Sequence, residues 1–309
     1  MVKSKTYLVI GANGFVGSSI VEHIAKIEGA RVKAFDRFSR KPDFITTDNV
    51  EIIKGDILND TDLEQALKGV DYLVHSYSAT TPFISDNDPY VDIENNLKRS
   101  IDIFRLSIKL GVKKVYFIST GGAVYGSAAE KGIVDETTMP LPVSPYGINK
   151  LAIEHYLEYF KRKNGLDYTV YRLTNPYGPR QRANKNQGVV PAFLNKIGSN
   201  ETITIFGDGS ATRDYIFMDD AAAMIVNSFN AHNTYNIYNI GSGRQTSLKE
   251  LIRAIEKAVG RNDIEIEYQP SPATFLSSTS VSIQRYINDF GEITINTLEE
   301  GLSKTVHHD

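Results

Sequence analysis

Two hydrophobic periods alternate along the first half of the chain. Short runs rich in β-branched and aromatic residues read as buried strands: "TYLVI" at 6–10, "RVKAFD" at 31–36, "VEIIKGDI" at 50–57, "DYLVHSYS" at 71–78, "KKVYFIST" at 113–120 and "DYTVYRLTN" at 167–175. Between them, apolar residues recur at helical spacing. The stretch 14–27 carries Val16, Ile20 and Ile24 on one face, "TDLEQAL" reads as a short helix capped by Thr61, and longer helices are expected over 91–110 and 146–163. Strands separated by helix-length segments predict an α/β fold with a parallel, doubly wound sheet, which binds ligands at the carboxyl ends of its strands.

After Asn175 the pattern breaks. Proline, glycine, asparagine and arginine crowd "NPYGPRQRANKNQG", which marks a domain boundary, so 1–175 is expected to form the sheet domain and 176–309 mainly a smaller C-terminal α/β lobe. That lobe reads as helices near 189–198, 219–229 and 247–259, with short strands at "ITIF", "YNIYNIG" and "IEIEY". The strand near 235–240 is expected to return to the main sheet.

Composition narrows the chemistry. The 309 residues include no cysteine, which excludes disulfides, thiolate metal sites and a cysteine nucleophile, and suits a reducing, cytoplasmic setting. A net charge of −3 gives no electrostatic case for nucleic acid. No apolar run approaches the roughly 20 residues that span a bilayer. His307 and His308, two neighbours in a tail, are poor evidence for a metal, and none is expected.

Two constellations carry chemistry. "VIGANGFVG" places Gly11, Gly14 and Gly17 at a strand-to-helix turn, where glycine lets the backbone approach a pyrophosphate and the helix start offers free N–H groups. Asp36 ends the second strand, placed to accept both adenosine ribose hydroxyls and to repel a 2′-phosphate, which favours NAD over NADP; Arg37 beside it pulls the other way. Asp56 and Ile57 are placed to flank the adenine. Further on, "SPYGINKLAIEHY" sets Tyr146 and Lys150 at i and i+4 on one helical face. An ammonium beside a phenol, with a positive nicotinamide ring nearby, favours the phenolate and brings a poor base into catalytic range.

On these residues the chain resembles the extended short-chain dehydrogenases, in particular the NAD-dependent epimerase/dehydratase group that acts on nucleotide sugars. "GANGFVG", "GDI", "ENN", "VYG", "SPYGINK", "RLTNPYGPRQ", "GDGSATRDYIFMDD" and "NIGSGRQTSLKEL" follow that family's order over roughly residues 7 to 252. The resemblance implies a Rossmann domain holding NAD, with Phe15, Val16 and Asn96 joining the glycines, Asp36, Asp56, Ile57, Tyr146 and Lys150 as cofactor contacts. It implies Tyr146 as the catalytic acid and base with Lys150 beside it, and a Ser or Thr hydroxyl after the fifth strand on the reacting oxygen. Counting back from "VYG" lands on Gly121, counting forward along the strand lands on Thr120; a strand anchors geometry better, so Thr120 is the expected hydroxyl and Ser119 its reserve. Family dehydratases follow this residue with an Asp and a Glu, where this chain has Gly121 and Gly122. Dehydration is therefore disfavoured, and a sugar 4-epimerase working through a transient 4-keto sugar is expected.

For the substrate, the resemblance implies contacts from Ser119, Thr120, Asn175 and Arg213, the arginine on the diphosphate. Beside that stands a plain ion pair between Arg213 and Asp214. A second diphosphate arginine usual in the family is missing from 271–283, which offers Thr274, Phe275 and serines. Arg180, Arg182, Lys185 or Arg244 are the candidates to replace it. A UDP sugar of the Glc/Gal or GlcNAc/GalNAc type is the expected substrate. Alternatives are a polyprenyl-diphosphate GlcNAc with peripheral membrane contact through Phe275 and "RQRANK", a 4-keto-sugar reductase, or an NAD-binding sensor without catalysis. A homodimer through the 91–110 and 146–163 helices is the family's habit.

Overall fold

In the computed structural model, which describes residues 4–182, 188–271 and 276–308, the first strand is buried on both faces. Within β1 (Lys5–Ile10), Tyr7 and Val9 enter one apolar cluster while Leu8 and Ile10 enter another on the opposite side. That two-sided burial is why the strand is a continuous apolar run rather than an alternating one. β2 (Ala30–Asp36), β3 (Val50–Lys54), β4 (Tyr72–His75), β5 (Lys114–Thr120) and β6 (Asp167–Leu173) follow, linked by α1 (Phe15–Ala25), α2 (Asp60–Leu67), α3 (Pro82–Asn87), α4 (Pro89–Asp92), α5 (Arg99–Lys109), the one-turn α6 (Gly121–Val124) and α7 (Pro145–Asn164).

The chain then runs through β7 (Asn175–Tyr177), α8 (Val189–Gly198), β8 (Ile203–Phe206), β9 (Thr212–Arg213), β10 (Tyr215–Phe217), α9 (Met218–Asn227), β11 (Ile237–Ile240), β12 (Thr246–Ser247), α10 (Leu248–Val259), β13 (Ile266–Gln269), β14 (Ser278–Thr279), α11 (Gln284–Phe290) and α12 (Leu298–Val306). The seven-stranded central sheet is parallel throughout, in the order β11-β6-β5-β4-β1-β2-β3. Strand order reverses between β1 and β4, which opens the crevice where doubly wound sheets bind ligands. One helical layer, with Ile20 and Ile24 of α1, Met224 and Ile225 of α9 and Tyr286 of α11, covers one face. Leu63 of α2, Phe104 of α5 and Leu157 of α7 cover the other. A separate core in the smaller lobe gathers Phe193 of α8, Ile203 and Ile205 of β8, Phe217 of β10 and Ile252 of α10. Thus α9, β11 and α11 pack with the main sheet although they follow Asn175. Among the described residues, no helix is long and apolar enough to cross a membrane.

Two local readings change. Asn59, not Thr61, caps α2: its side chain accepts the Thr61 and Asp62 N–H groups, an amide oxygen two residues earlier being better placed. The helix expected over 91–110 runs without a gap from Pro89 to Lys109, but its hydrogen-bond register changes midway. Asp88 caps a new start at Pro89, and residues Ile93–Lys98 form a π turn before α5 resumes.

Candidate active site

Gly11 follows β1 with φ +82°, a backbone conformation that residues other than glycine rarely take. The turn it makes brings α1 down onto the strand. A Cβ on Gly17 would lie 2.1 Å from the Gly11 carbonyl oxygen and 2.9 Å from Ser76 Oγ, so this glycine serves the close contact of helix and strand. Gly14 occupies the N-cap of α1 without a side-chain cap, and the first turn has no acidic residue. The helix start therefore keeps free N–H groups and its positive dipole end towards the cleft, the environment a pyrophosphate needs.

A cleft of about 900 Å³ opens over this turn, lined by Gly11, Gly14, Phe15, Val16, Gly17, Asp36 and Ile57 among the expected cofactor contacts. Asp36 Oδ2 accepts the Asn13 N–H at 3.0 Å, so the acid is held beside the glycine turn. Asp56 and Ile57 lie beyond the end of β3, in the turn to α2. The Asp56 N–H donates to Asp62 at 2.9 Å and its carboxylate accepts the Leu58 N–H at 2.9 Å. Of the two, only Ile57 lines the cleft. Asn96 is buried in the π turn behind the cleft wall, where its Oδ1 accepts the Ala79 N–H at 2.8 Å. It holds the loop after β4 rather than lining the cleft.

Ser144 and Pro145 start α7, with the Ser144 hydroxyl accepting the Gly147 N–H, which fixes Tyr146 in the first turn and Lys150 one turn later. Both line the cleft, with the Lys150 nitrogen 5.9 Å from the Tyr146 ring centre. Lys150 is buried and donates to the Ile118 carbonyl at 3.0 Å, so its ammonium is anchored to the end of β5. Burial lowers its pKa to about 8, against the opposing pull of Asp92 and Glu154. The phenol of Tyr146 is pushed well above its ordinary value by burial, then by Asp92. The protein alone therefore keeps it protonated. The lowering expected from the sequence needs more positive charge than Lys150 brings.

The two candidate hydroxyls divide. Ser119 Oγ donates to Glu154 Oε1 at 2.5 Å, and Glu154 in turn pairs with Arg172 at 2.7 Å, all three side chains buried. Thr120 caps α6, accepting the Ala123 N–H at 3.3 Å, and keeps its half-buried hydroxyl on the cleft. A Cβ on Gly122 would stand at ordinary contact distance from Asn175 Oδ1, 3.8 Å, and Thr120 Oγ1, 4.0 Å. A Cβ on Gly121 would lie 3.0 Å from the Arg172 carbonyl oxygen.

Across the cleft, Asn175 Nδ2 donates to the Asp214 carbonyl at 2.9 Å and Arg213 donates to the Thr212 and Leu276 carbonyls, both at 2.8 Å. The Asp214 carboxylate is committed elsewhere. It accepts the Ser242 N–H and hydroxyl at 2.8 Å and the Gly243 N–H at 3.0 Å, while burial raises its pKa to about 6. Arg180 and Arg182 line the cleft; Arg244 is not among the lining residues, and Lys185, Thr274 and Phe275 lie outside the described residues.

Several lining residues escaped the sequence reading. Asn13, inside the quoted "GANG", joins the turn to Asp43 through its Oδ1, which accepts the Asp43 N–H at 2.9 Å. Arg40 reaches the Asn13 carbonyl at 2.6 Å. Thr279 lines the cleft beside Arg213 on the paired strand, its buried hydroxyl without a hydrogen-bond partner among the described residues. Only Asn13 had a motif to flag it.

Comparison with known proteins agrees with this geometry. The model of the NAD dependent epimerase/dehydratase family matches residues 7–241. The chain is 33% identical to the UDP-glucose 4-epimerase of Mycolicibacterium smegmatis over 97% of its own length and 96% of the relative's. It superposes on the Thermotoga maritima UDP-glucose 4-epimerase solved with UDP-glucose, with TM-score 0.89, 33% identity and 98% of each chain covered. The Methanobrevibacter ruminantium UDP-N-acetylglucosamine 4-epimerase, solved with UDP-N-acetylmuramic acid, matches with TM-score 0.86, 31% identity, and 99% and 98% coverage.

Proposed function

The chain belongs to the NAD-dependent epimerase/dehydratase family, and we propose that it is a UDP-sugar 4-epimerase acting on a sugar of the Glc/Gal or GlcNAc/GalNAc type. The observation that carries this reading is the convergence of Thr120, Tyr146, Lys150, Asn175 and Arg213 on the same cleft as the glycine turn. The residues fit the cofactor: the Gly11–Gly17 contact leaves no side chain over the helix start, and Asp36 is held beside it. NAD, when bound there, supplies the hydride acceptor for oxidation at C4 and the hydride for its reversal.

The chain's own groups do the rest. The Tyr146 oxygen takes the proton of the sugar's 4-hydroxyl and later returns one, and the Lys150 ammonium favours its ionised form. The Thr120 hydroxyl holds the reacting oxygen, and Asn175 and Arg213 bind the sugar and its diphosphate, the arginine through its planar fork. Gly121 and Gly122 provide no acid or base for loss of water. Gly122 lines the cleft without a side chain, which eases the turning of the 4-keto sugar between the two hydride transfers.

Incubation with UDP-glucose, UDP-GlcNAc and polyprenyl-diphosphate GlcNAc, followed by analysis for C4-inverted products, tests the reading. Conversion of a UDP sugar without added cofactor is the expected result. Consumption of external NADH with a 4-keto sugar added as acceptor would instead indicate a reductase, and conversion of the lipid-linked sugar alone would move the carrier. A homodimer belongs to the same proposal: Tyr90, Val91, Ile93, Ile148, Tyr156 and Tyr159 are exposed on α4, the π turn and α7. Sedimentation at assay concentration checks it.

A further inference from the structure

Asp92 ends α4 beneath the cleft and is only 1% exposed. Three donors from three segments converge on its carboxylate. The Thr80 hydroxyl, from the loop after β4, and the Asn96 amide, from the π turn, both reach Oδ1. The Asn149 amide, from α7, reaches Oδ2 at 2.5 Å. The Asn96 amide also donates to Thr80 Oγ1 at 2.7 Å, which closes the network. Tyr77 and Ser78 of the same loop line the cleft, and Asn149 directly precedes Lys150. A buried carboxylate adds little to stability that apolar packing could not supply, so its presence calls for a use.

Resting on the epimerase reading above, we infer that Asp92 is a positioning residue for the Tyr146–Lys150 pair, the buried anion that ties the loop under the cleft and the π turn to the catalytic helix. Several charged or titratable groups face Lys150. Asp92 comes from α4, and Glu154 and Tyr146 from its own helix. His75 comes from β4, its ring held neutral because burial pushes its pKa down to about 3. Glu154 is committed to Arg172 of β6 and to Ser119. Asp92 has only neutral partners among its hydrogen bonds, so its charge remains to favour the ammonium of Lys150. The π turn that sets Asn96 towards Asp92 then has a role, since such turns gather at functional sites.

Asp92→Asn keeps the shape and removes the charge. In the full-length protein, at equal cofactor loading, the Lys150 side-chain nitrogen is followed by NMR titration, its signal assigned with Lys150→Arg. Its pKa is expected to fall by about one unit in Asp92→Asn, and the alkaline limb of the kcat profile to move down with it. Asp92→Glu should return both towards the wild type. An unmoved Lys150 titration in Asp92→Asn overturns the inference whatever happens to activity. Asn149→Ala cuts the tie to α7 and leaves the charge. It should lower kcat about tenfold with the limb in place, and an unchanged kcat rejects the positioning role even if Asp92→Asn does not fold. A wild-type protein that converts no sugar would sink the epimerase reading, while the NMR titration would still decide the place of Asp92.

Discussion

Gly17 of α1 packs against the carbonyl of Gly11 so closely that a Cβ on it would lie 2.1 Å from the oxygen, whereas a Cβ on Gly14 would lie 3.1 Å from the same atom. Neither partner is a flexible side-chain end, so the first contact can be relieved only by lifting the helix off the strand. Gly17→Ala is expected to destabilise the protein by about 3 kcal/mol and to lose NAD on gel filtration, with Gly14→Ala clearly milder. Urea unfolding with measurement of bound nucleotide checks this, and equal losses in the two variants would count against the close-contact role.

The two hydroxyls at the end of β5 should separate into chemistry and support. Thr120→Val removes the hydroxyl on the cleft, and kcat should fall about 100-fold with little change in KM. Ser119→Ala removes a hydrogen bond to the buried Glu154 carboxylate, and the loss should appear as about 1.5–3 kcal/mol of stability with kcat nearly kept. Steady-state kinetics and denaturation on both variants decide it; the reverse pattern would make Ser119 the reacting hydroxyl.

What the sequence made legible follows from periodicity and short spacing. The inner strands of the central sheet are buried on both sides and announce themselves as apolar runs, whereas the edge strand β3 is largely exposed, and Tyr146 with Lys150 is visible because four residues make about one helical turn. The helix expected over 91–110 was legible from its apolar period, but the π turn within it was not, because a local change of hydrogen-bond register leaves no mark in that period. Asp92 stayed hidden for a related reason: its partners Thr80, Asn96 and Asn149 come from separate segments, and the last lies 57 residues away. The high pKa of Tyr146 was not foreseen, because burial is a property of the assembled cleft and not of the i, i+4 pair.

A similarly long-range contact bears on cofactor retention. Arg180, on the loop after β7, reaches both oxygens of Glu22 on α1 at 2.7 and 2.8 Å, across 158 residues of sequence, and Arg180 also lines the cleft. Glu22 Oε1 further accepts the Ile45 N–H at 2.8 Å. The loop is thereby fastened over the helix whose start is expected to hold the pyrophosphate. Glu22→Gln should speed NAD release by about tenfold, the effect of losing roughly 1.4 kcal/mol from a partly buried pair, while leaving kcat at saturating NAD within twofold. Release is followed by trapping freed NAD with a coupled dehydrogenase; an unchanged rate would mean that the loop does not restrain the cofactor.

Lys150 should make the protein less stable than it would be without it, because a site built to hold an ammonium in a buried place works against folding. In the folded protein its pKa lies at about 8, against 10.5 for an exposed lysine. Below pH 8 both folded and unfolded chains carry the proton, and the burial penalty is fully present, on the order of 3 kcal/mol from the shift. Between pH 8 and 10.5 the folded chain has released a proton that the unfolded chain still binds, so this contribution to stability rises with pH and the penalty fades. Lys150→Met should therefore unfold at higher urea than the wild type at pH 7, by about 3 kcal/mol, and by less than about 1 kcal/mol at pH 10. Catalysis should be lost at both. Comparing the two proteins at each pH cancels the other titrating groups, so a difference that stays constant from pH 7 to 10 would show that the ammonium is not strained by its burial.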